Sequence, residues 1–167
     1  STASKGCQVI RLTEREDMTS QYGFKYAQAC VNNTPGDVVV FLWVAIPCTG
    51  GSPWQNINKF LPGAKERLEK HWALFYALFA KFAQFVKWLD SIGRKWKICF
   101  EWPKNCAYWK WKEVVDFLRS LELVDVCFDG CAVGLKAKSG ELLKKPWRVF
   151  TNDDNILKAL APYVCSN

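Results

Sequence analysis

Residues Val38 to Asn58 read VVVFLWVAIPCTGGSPWQNIN, and this stretch decides the fold. An apolar run from Val38 to Ile46 stops at Pro47. An uninterrupted apolar run bounded by turn residues predicts a buried central strand. Behind it lie Cys48, Thr49, Gly50, Gly51 and Ser52. Such a loop offers a thiol, hydroxyls and backbone amides to a ligand or a reaction.

Outward from this stretch the chain alternates between strand and helix signals. Cys7 to Thr13 (CQVIRLT) alternates apolar and polar residues and predicts a strand running into the acidic Glu14, Glu16 and Asp17. Thr19 or Ser20 can N-cap a helix over residues 21–31. Asn32 to Asp37 is a loop. Gly63 to Ser91 is a long helix with Leu68, Trp72, Phe75, Phe79, Phe82, Val86 and Leu89 on one face. Leu74, Leu78, Phe85 and Trp88 form a second strip on it, and His71 reads as structural. Lys97 to Glu101 is a strand, Tyr108 to Leu121 a helix and Leu123 to Phe128 a strand. Asp129-Gly130 is a hairpin signal with a return over Cys131 to Leu135. Trp147 to Thr151 is a last strand, and Asp153 caps a helix over residues 155–163. Early alternation implies a mainly parallel sheet, and the closely spaced late strands imply an antiparallel edge hairpin. The expected fold is α/β, a Rossmann-like three-layer sandwich. It forms a single domain over 1–167 with a flexible tail at 1–6.

The 167 residues are 50% hydrophobic and carry nine Trp, eleven Phe and five Tyr, enough for a sizeable core and aromatics near the surface besides. A net charge of +7 favours anionic partners, nucleic acid first among them. The eight cysteines include no CxxC pair, so no metal site is expected, and buried reduced thiols point to an intracellular protein. The chain opens on Ser1 with no Met and no signal peptide, which reads as a fragment or a processed product. The long helix is broken by Lys81, Gln84 and Lys87, so no membrane span is expected.

In an open parallel sheet, ligands bind beyond the carboxyl ends of the strands. Three loops here leave such ends, and they would bring together Asp17, Cys48 and Glu101. Cys48 is a candidate nucleophile, with a space-filling thiol as the competing reading. Glu101 is a candidate proton donor, against an ion pair with Lys104 or Arg148. The amides of Gly50, Gly51 and Ser52 are candidates for anion binding. Lys104, Lys110 and Lys112 interleave with Trp102, Trp109 and Trp111, and Lys136, Lys138, Lys144, Lys145 and Arg148 surround Trp147. Cations suit phosphates and flat rings suit bases, so these residues form a candidate nucleic-acid surface. A solvated basic face with inward-packed tryptophans is the alternative.

The motifs IPCTGGSPWQNIN, FEWPKNCAYW, FDGCAVGL and KKPWRVFTN resemble an uncharacterised domain of dinoflagellate-type retrotransposon polyproteins, over about residues 17–165. More distantly, the layout is similar to the catalytic half of cytosine-5 DNA methyltransferases. That similarity implies Cys48 as nucleophile, Glu101 as the acid on the base and Arg148 as the supporting cation. It implies Glu14 or Asp17 on the ribose of S-adenosylmethionine, the cofactor if the chain is catalytic. The family's glycine-rich donor turn has no match here, and its Glu-Asn-Val is Glu101-Trp102-Pro103. The expected function is a nucleic-acid-associated, methyltransferase-like domain that has become a binding module. The alternatives are a structural subunit of a protein assembly and an active methyltransferase.

Overall fold

In the computed structural model, which describes residues 6–165, the opening run becomes β1, Val40–Val44. The sheet is completed by β2, Trp96–Pro103, β3, Val124–Asp129, and β4, Pro146–Thr151. The strand order is β1-β2-β4-β3. The fold is mixed α/β, as expected, but the sheet is not mainly parallel. Only β1 runs parallel to its neighbour, while β2–β4 and β3–β4 are antiparallel. β1 is also an edge strand rather than a central one. Its residues alternate between half-buried and exposed, with Phe41 and Trp43 facing water. A run that is apolar on both faces carries no signal for which face is covered, and this one is covered on one side only.

Two other expected strands do not form. Residues 7–13 form no strand and are exposed. Alternation supplies a face, but a strand exists only where a neighbour accepts its backbone hydrogen bonds. Residues 130–133 form a 3-10 turn ended by Gly134 at φ 82°. The antiparallel partner of β3 is β4 instead, with Val126 opposite Val149 and Cys127 opposite Arg148.

The helices follow the sequence closely. Helix α1, Gln21–Asn32, is capped by Ser20, whose hydroxyl accepts from the Gly23 amide. Gly23 must lack a side chain, because a Cβ there would stand 1.6 Å from the Glu16 carbonyl oxygen. A one-turn α2, Gln55–Asn58, precedes α3, Ala64–Ser91. Phe75, Phe79, Phe82, Val86 and Leu89 of its predicted face are buried. The expected helix after Tyr108 is a 3-10 turn, Ala107–Lys110, followed by α4, Lys112–Ser120. Helix α5, Asp154–Leu160, is capped by Asp153 and packs on β3 and β4.

The chain groups into two compact units, residues 6–40 with 77–95, and residues 41–76 with 96–165. The expected flexible tail lies outside the described residues, Gly6 excepted. In the second unit, Cys131 and Cys165 form a disulfide, so the expectation of wholly reduced cysteines fails at this pair. The bond lies beside two hydrogen bonds of Asp129: its amide donates to the Tyr163 carbonyl, and its carboxylate accepts from the Cys165 amide at 2.9 Å. Among the described residues, no helix is long and apolar enough to cross a membrane.

The first unit is organised around a buried cation. Arg94 donates from Nη2 to the carbonyls of Val31 at 2.7 Å and Thr34 at 2.8 Å, and from Nη1 to that of Pro35. It thereby adds charged donors to the carbonyls after α1, of which Val31 also accepts from the amide and hydroxyl of Thr34 and Pro35 from the Val38 amide. Arg94→Ala removes the charged donors that tie these carbonyls to the end of α3 and should cost about 3 kcal/mol in chemical denaturation. A loss below about 1 kcal/mol would mean that water replaces the guanidinium without penalty.

Candidate functional site

The parallel alignment of β1 and β2 puts their carboxyl ends side by side, so the loops leaving them meet. Both loops belong to the second unit. The link is Trp102, fully buried near the end of β2, whose indole N–H donates to the Ile46 carbonyl at 2.6 Å. This bond holds the backbone just before Pro47 and so sets the position of Cys48.

From Cys48 the chain turns through a 3-10 segment, Thr49–Gly51. The turn lies flat on aromatic rings. A Cβ on Gly50 would sit 2.3 Å from the Tyr108 hydroxyl and 2.8 Å from Trp72. One on Gly51 would sit 2.7 Å from the Cys106 sulfur. The glycines are therefore required for close packing. Their amides were candidates for anion binding, but Gly51 N–H donates to the Cys48 carbonyl and Ser52 N–H to that of Thr49. The Gly50 carbonyl accepts from the Trp72 indole at 3.0 Å.

Three groups share the electrostatic neighbourhood of this loop. Burial raises the pKa of Cys48, while Lys145 opposes the rise and Glu101 adds to it. Burial pushes Glu101 up to about 7, again with Lys145 opposing. Of the three residues expected to converge, Cys48 and Glu101 lie within electrostatic reach of each other and of Lys145, without Asp17. Cys106 and Tyr108 complete the cluster. Burial lifts the Cys106 thiol to about 11, and that of the Tyr108 phenol upward as well. The Tyr108 hydroxyl is buried against the Gly50 backbone and makes no hydrogen bond of normal geometry. Sequence reasoning singled out neither residue for this role, although Cys106 stood in the loop whose convergence with Cys48 was expected.

Arg148 is not brought to this cluster. It stands opposite Trp102 in the β2–β4 register, whereas Glu101 stands opposite Val149. Adjacent residues on a strand point to opposite faces, so Arg148 and Glu101 lie on different sides of the sheet. Arg148 donates from Nε to Asp125 at 2.8 Å and lies over the rings of Trp109 and Phe150. Asp17 belongs to the other unit and is occupied locally. It sits at φ 21° and accepts from the amide and hydroxyl of Thr19, which shapes the turn before α1. Glu14 is exposed in the same segment.

The candidate lysines divide into three groups. Lys104, Lys144 and Lys145 are exposed at one end of the sheet, where the Lys104 amide donates to the Pro146 carbonyl at 2.9 Å. Lys145 Nζ also lies 4.0 Å from the Trp147 ring centre. Lys136 and Lys138 are exposed on a separate turn, pinned by the Lys136–Leu142 bridge. Lys110 and Lys112 flank the start of α4, and Lys112 pairs with Asp116. Trp102 and Trp109 are buried, so they pack inward and do not offer rings to bases. Beside the Cys48 loop there is a half-open cleft of about 210 Å³, lined by Thr49, Gln55, Asn58, Arg67 and His71 among others.

Two substitutions test this electrostatic arrangement. A carboxyl whose pKa rises from 4.5 to about 7 on folding holds an extra proton in the folded state between those values. The stability linked to that proton is complete below the lower value and is lost as pH rises through the upper one. Glu101→Gln should therefore remove a pH dependence. The unfolding midpoint in urea should favour the variant over the wild type at pH of about 8 more than at about 5. A constant difference across that range would rule out the raised carboxyl. Tyr108→Phe removes a buried hydroxyl that makes no hydrogen bond of normal geometry and should be neutral or stabilising by about 1 kcal/mol. A clear destabilisation in the same assay would show that the hydroxyl is bonded.

No family model, curated protein or solved structure matches the chain.

Proposed function

We propose that the chain is a nucleic-acid-binding module that grips phosphates through Lys104, Lys144 and Lys145, on a methyltransferase-like domain that no longer catalyses methyl transfer. The observation that carries this reading is the hydrogen bond from Lys104 to Pro146. It joins the loop after β2 to the segment before β4, so lysines about forty residues apart in sequence line one rim. Exposed cations fixed on strand ends suit phosphate oxygens, and a chain with net charge +7 adds a long-range attraction. With Trp102 and Trp109 buried, the expected contacts are to the backbone of the nucleic acid and not to its bases. The resemblance to a retrotransposon-type domain belongs to this reading.

A catalytic reading draws on Glu101, because a carboxyl with a pKa of about 7 suits a proton donor at neutral pH. Against it stands Cys48, whose pKa is raised when a nucleophilic thiolate needs a lowered one. Arg148 is on the other face of the sheet, and S-adenosylmethionine would have to be held by Glu14 and Asp17, of which Asp17 is bound into its own turn. The Rossmann-like three-layer arrangement is part of that reading and asks for more parallel pairing than one strand pair supplies. A subunit role draws on β1, whose exposed Phe41 and Trp43 offer an apolar edge to a protein assembly.

Retention on DNA and RNA should weaken steeply as salt rises, because each neutralised phosphate releases counterions. Replacing Lys104, Lys144 and Lys145 together by Ala should flatten the slope of log affinity against log salt by about 2 to 3. Binding that ignores salt, or a slope unchanged in the triple variant, would defeat the proposal.

A further inference from the structure

Residues 53–61, Pro-Trp-Gln-Asn-Ile-Asn-Lys-Phe-Leu, form a helical stretch that is turned inside out. Backbone bonds run through it continuously, from Ile57 and Asn58 to Trp54, Lys59 to Gln55, Phe60 to Ile57 and Leu61 to Asn58. At about 100° per residue, Trp54, Ile57, Phe60 and Leu61 share an arc of roughly 120°. That arc faces water: Trp54 is 69% exposed, Ile57 63%, Phe60 80% and Leu61 55%. The polar side faces the protein. Gln55 donates from its amide to the Thr49 carbonyl at 2.9 Å, and Asn58 lines the neighbouring cleft. Amphipathic helices normally bury the apolar side, and this one leaves it in water while Gln55 and Asn58 are half-buried. Two large aromatic rings held outward on one short turn, beside two aliphatic side chains, form a cluster that marks an interaction surface.

The charge around this face narrows what covers it. From Val38 to Lys65 there is no acidic residue. Lys59 and Arg67 stand beside the exposed side chains: Lys59 Nζ lies 5.1 Å from the Phe60 ring centre, and Arg67 lines a cleft together with Leu61. The acids that follow, Glu66 and Glu69, are paired with Lys70 and Lys65. A tryptophan and a phenylalanine standing out beside these two cations, with no acid from Val38 to Lys65, match a surface that is negative outside and apolar just beneath. A bilayer containing anionic phospholipid has that profile: aromatic rings settle at headgroup depth and cations stay with the phosphates. We infer that the turn around Trp54 and Phe60 is a site of reversible attachment to an anionic lipid surface. It lies in the interface and does not span it. This is independent of the lysine rim proposed for nucleic acid.

Co-sedimentation with vesicles tests it, using pure phosphatidylcholine and phosphatidylcholine containing about one-third phosphatidylserine. The intact chain should pellet with the anionic vesicles and far less with the neutral ones. Trp54→Ser with Phe60→Ser should weaken this partition by about tenfold or more, since the apolar area of both rings is lost. Because both side chains stand in water, the double variant should keep its unfolding midpoint and its affinity for nucleic acid, which separates this failure from that of the lysine rim. Absence of binding to either vesicle would overturn the inference, as would equal pelleting of the variant, which would make the attraction one of charge alone. Concentration-dependent self-association of the intact chain that the double variant abolishes would also overturn it, because a second copy would then be the cover.

Discussion

The second unit depends on the position of one indole. Trp102 is enclosed by Phe75, Phe100, Tyr108 and Trp109, with ring centres 5.8, 4.6, 5.4 and 4.7 Å away. An indole buried this deeply must still satisfy its N–H. The carbonyl it finds, Ile46, lies beyond the end of β1, where sheet pairing has ceased. One hydrogen bond therefore does two things. It removes the polar cost of burying the largest side chain in the core, and it fastens the loop that carries Cys48 to the strand that carries Glu101. The Gly50-Gly51 turn follows from the same constraint, because a chain fastened at Ile46 must pass directly over Tyr108 and Cys106. Their rings and sulfur leave no room for a Cβ.

What the sequence made legible, and what it did not, separates along the same physical line. Helices α1, α3 and α5 could be read closely because periodicity and capping are local: Ser20 and Asp153 cap as their positions suggest. The meeting of Cys48 with Glu101 was also legible, since it needs only that two strands run parallel as neighbours. The place of β1 was not. Val38 to Ile46 is apolar at every position, and such a run looks the same whether it is sandwiched or lies at an edge with Phe41 and Trp43 in water. Nor was the fate of the tryptophans. Trp102 and Trp109 alternate with lysines in sequence, which suits a stacking surface, yet period and composition cannot say which ring meets Phe100 and which meets solvent. Arg148 failed as a site residue for a reason of parity. A shift of one residue in register moves a side chain through the sheet, and the β2–β4 register is a long-range fact.

The cluster around Cys48 is suited to holding protons more than to giving up electron pairs. Cys48, Glu101, Cys106 and Tyr108 are each pushed toward the neutral form by burial, and Lys145 only partly offsets this for Cys48 and Glu101. A nucleophilic thiol needs the reverse, a cation or helix N-terminus that wins over desolvation. The same lysine that fails to activate Cys48 is exposed on the rim and stacked beside Trp147. A phosphate drawn to that rim would compete with Glu101 for the field of Lys145 and would disfavour the carboxylate further. Anion binding at the rim and a protonated Glu101 therefore reinforce each other.

Net positive charge alone does not separate a polynucleotide from a lipid headgroup, because both present phosphate. The distinction rests on what lies behind the phosphates. A nucleic-acid backbone is polar through and through, so a rim of lysines behind which Trp102 and Trp109 are buried complements it. A bilayer turns apolar a few ångströms below its charges, so it rewards rings that project past the cations. The chain shows the first arrangement at Lys104, Lys144 and Lys145 and the second at Trp54 and Phe60. That the core has room for Trp102 and Tyr108, both essentially buried, while the segment 53–61 turns Gln55 toward Thr49 and the rings of Trp54 and Phe60 into water, makes the second arrangement a property of the fold and not an overflow of aromatic residues.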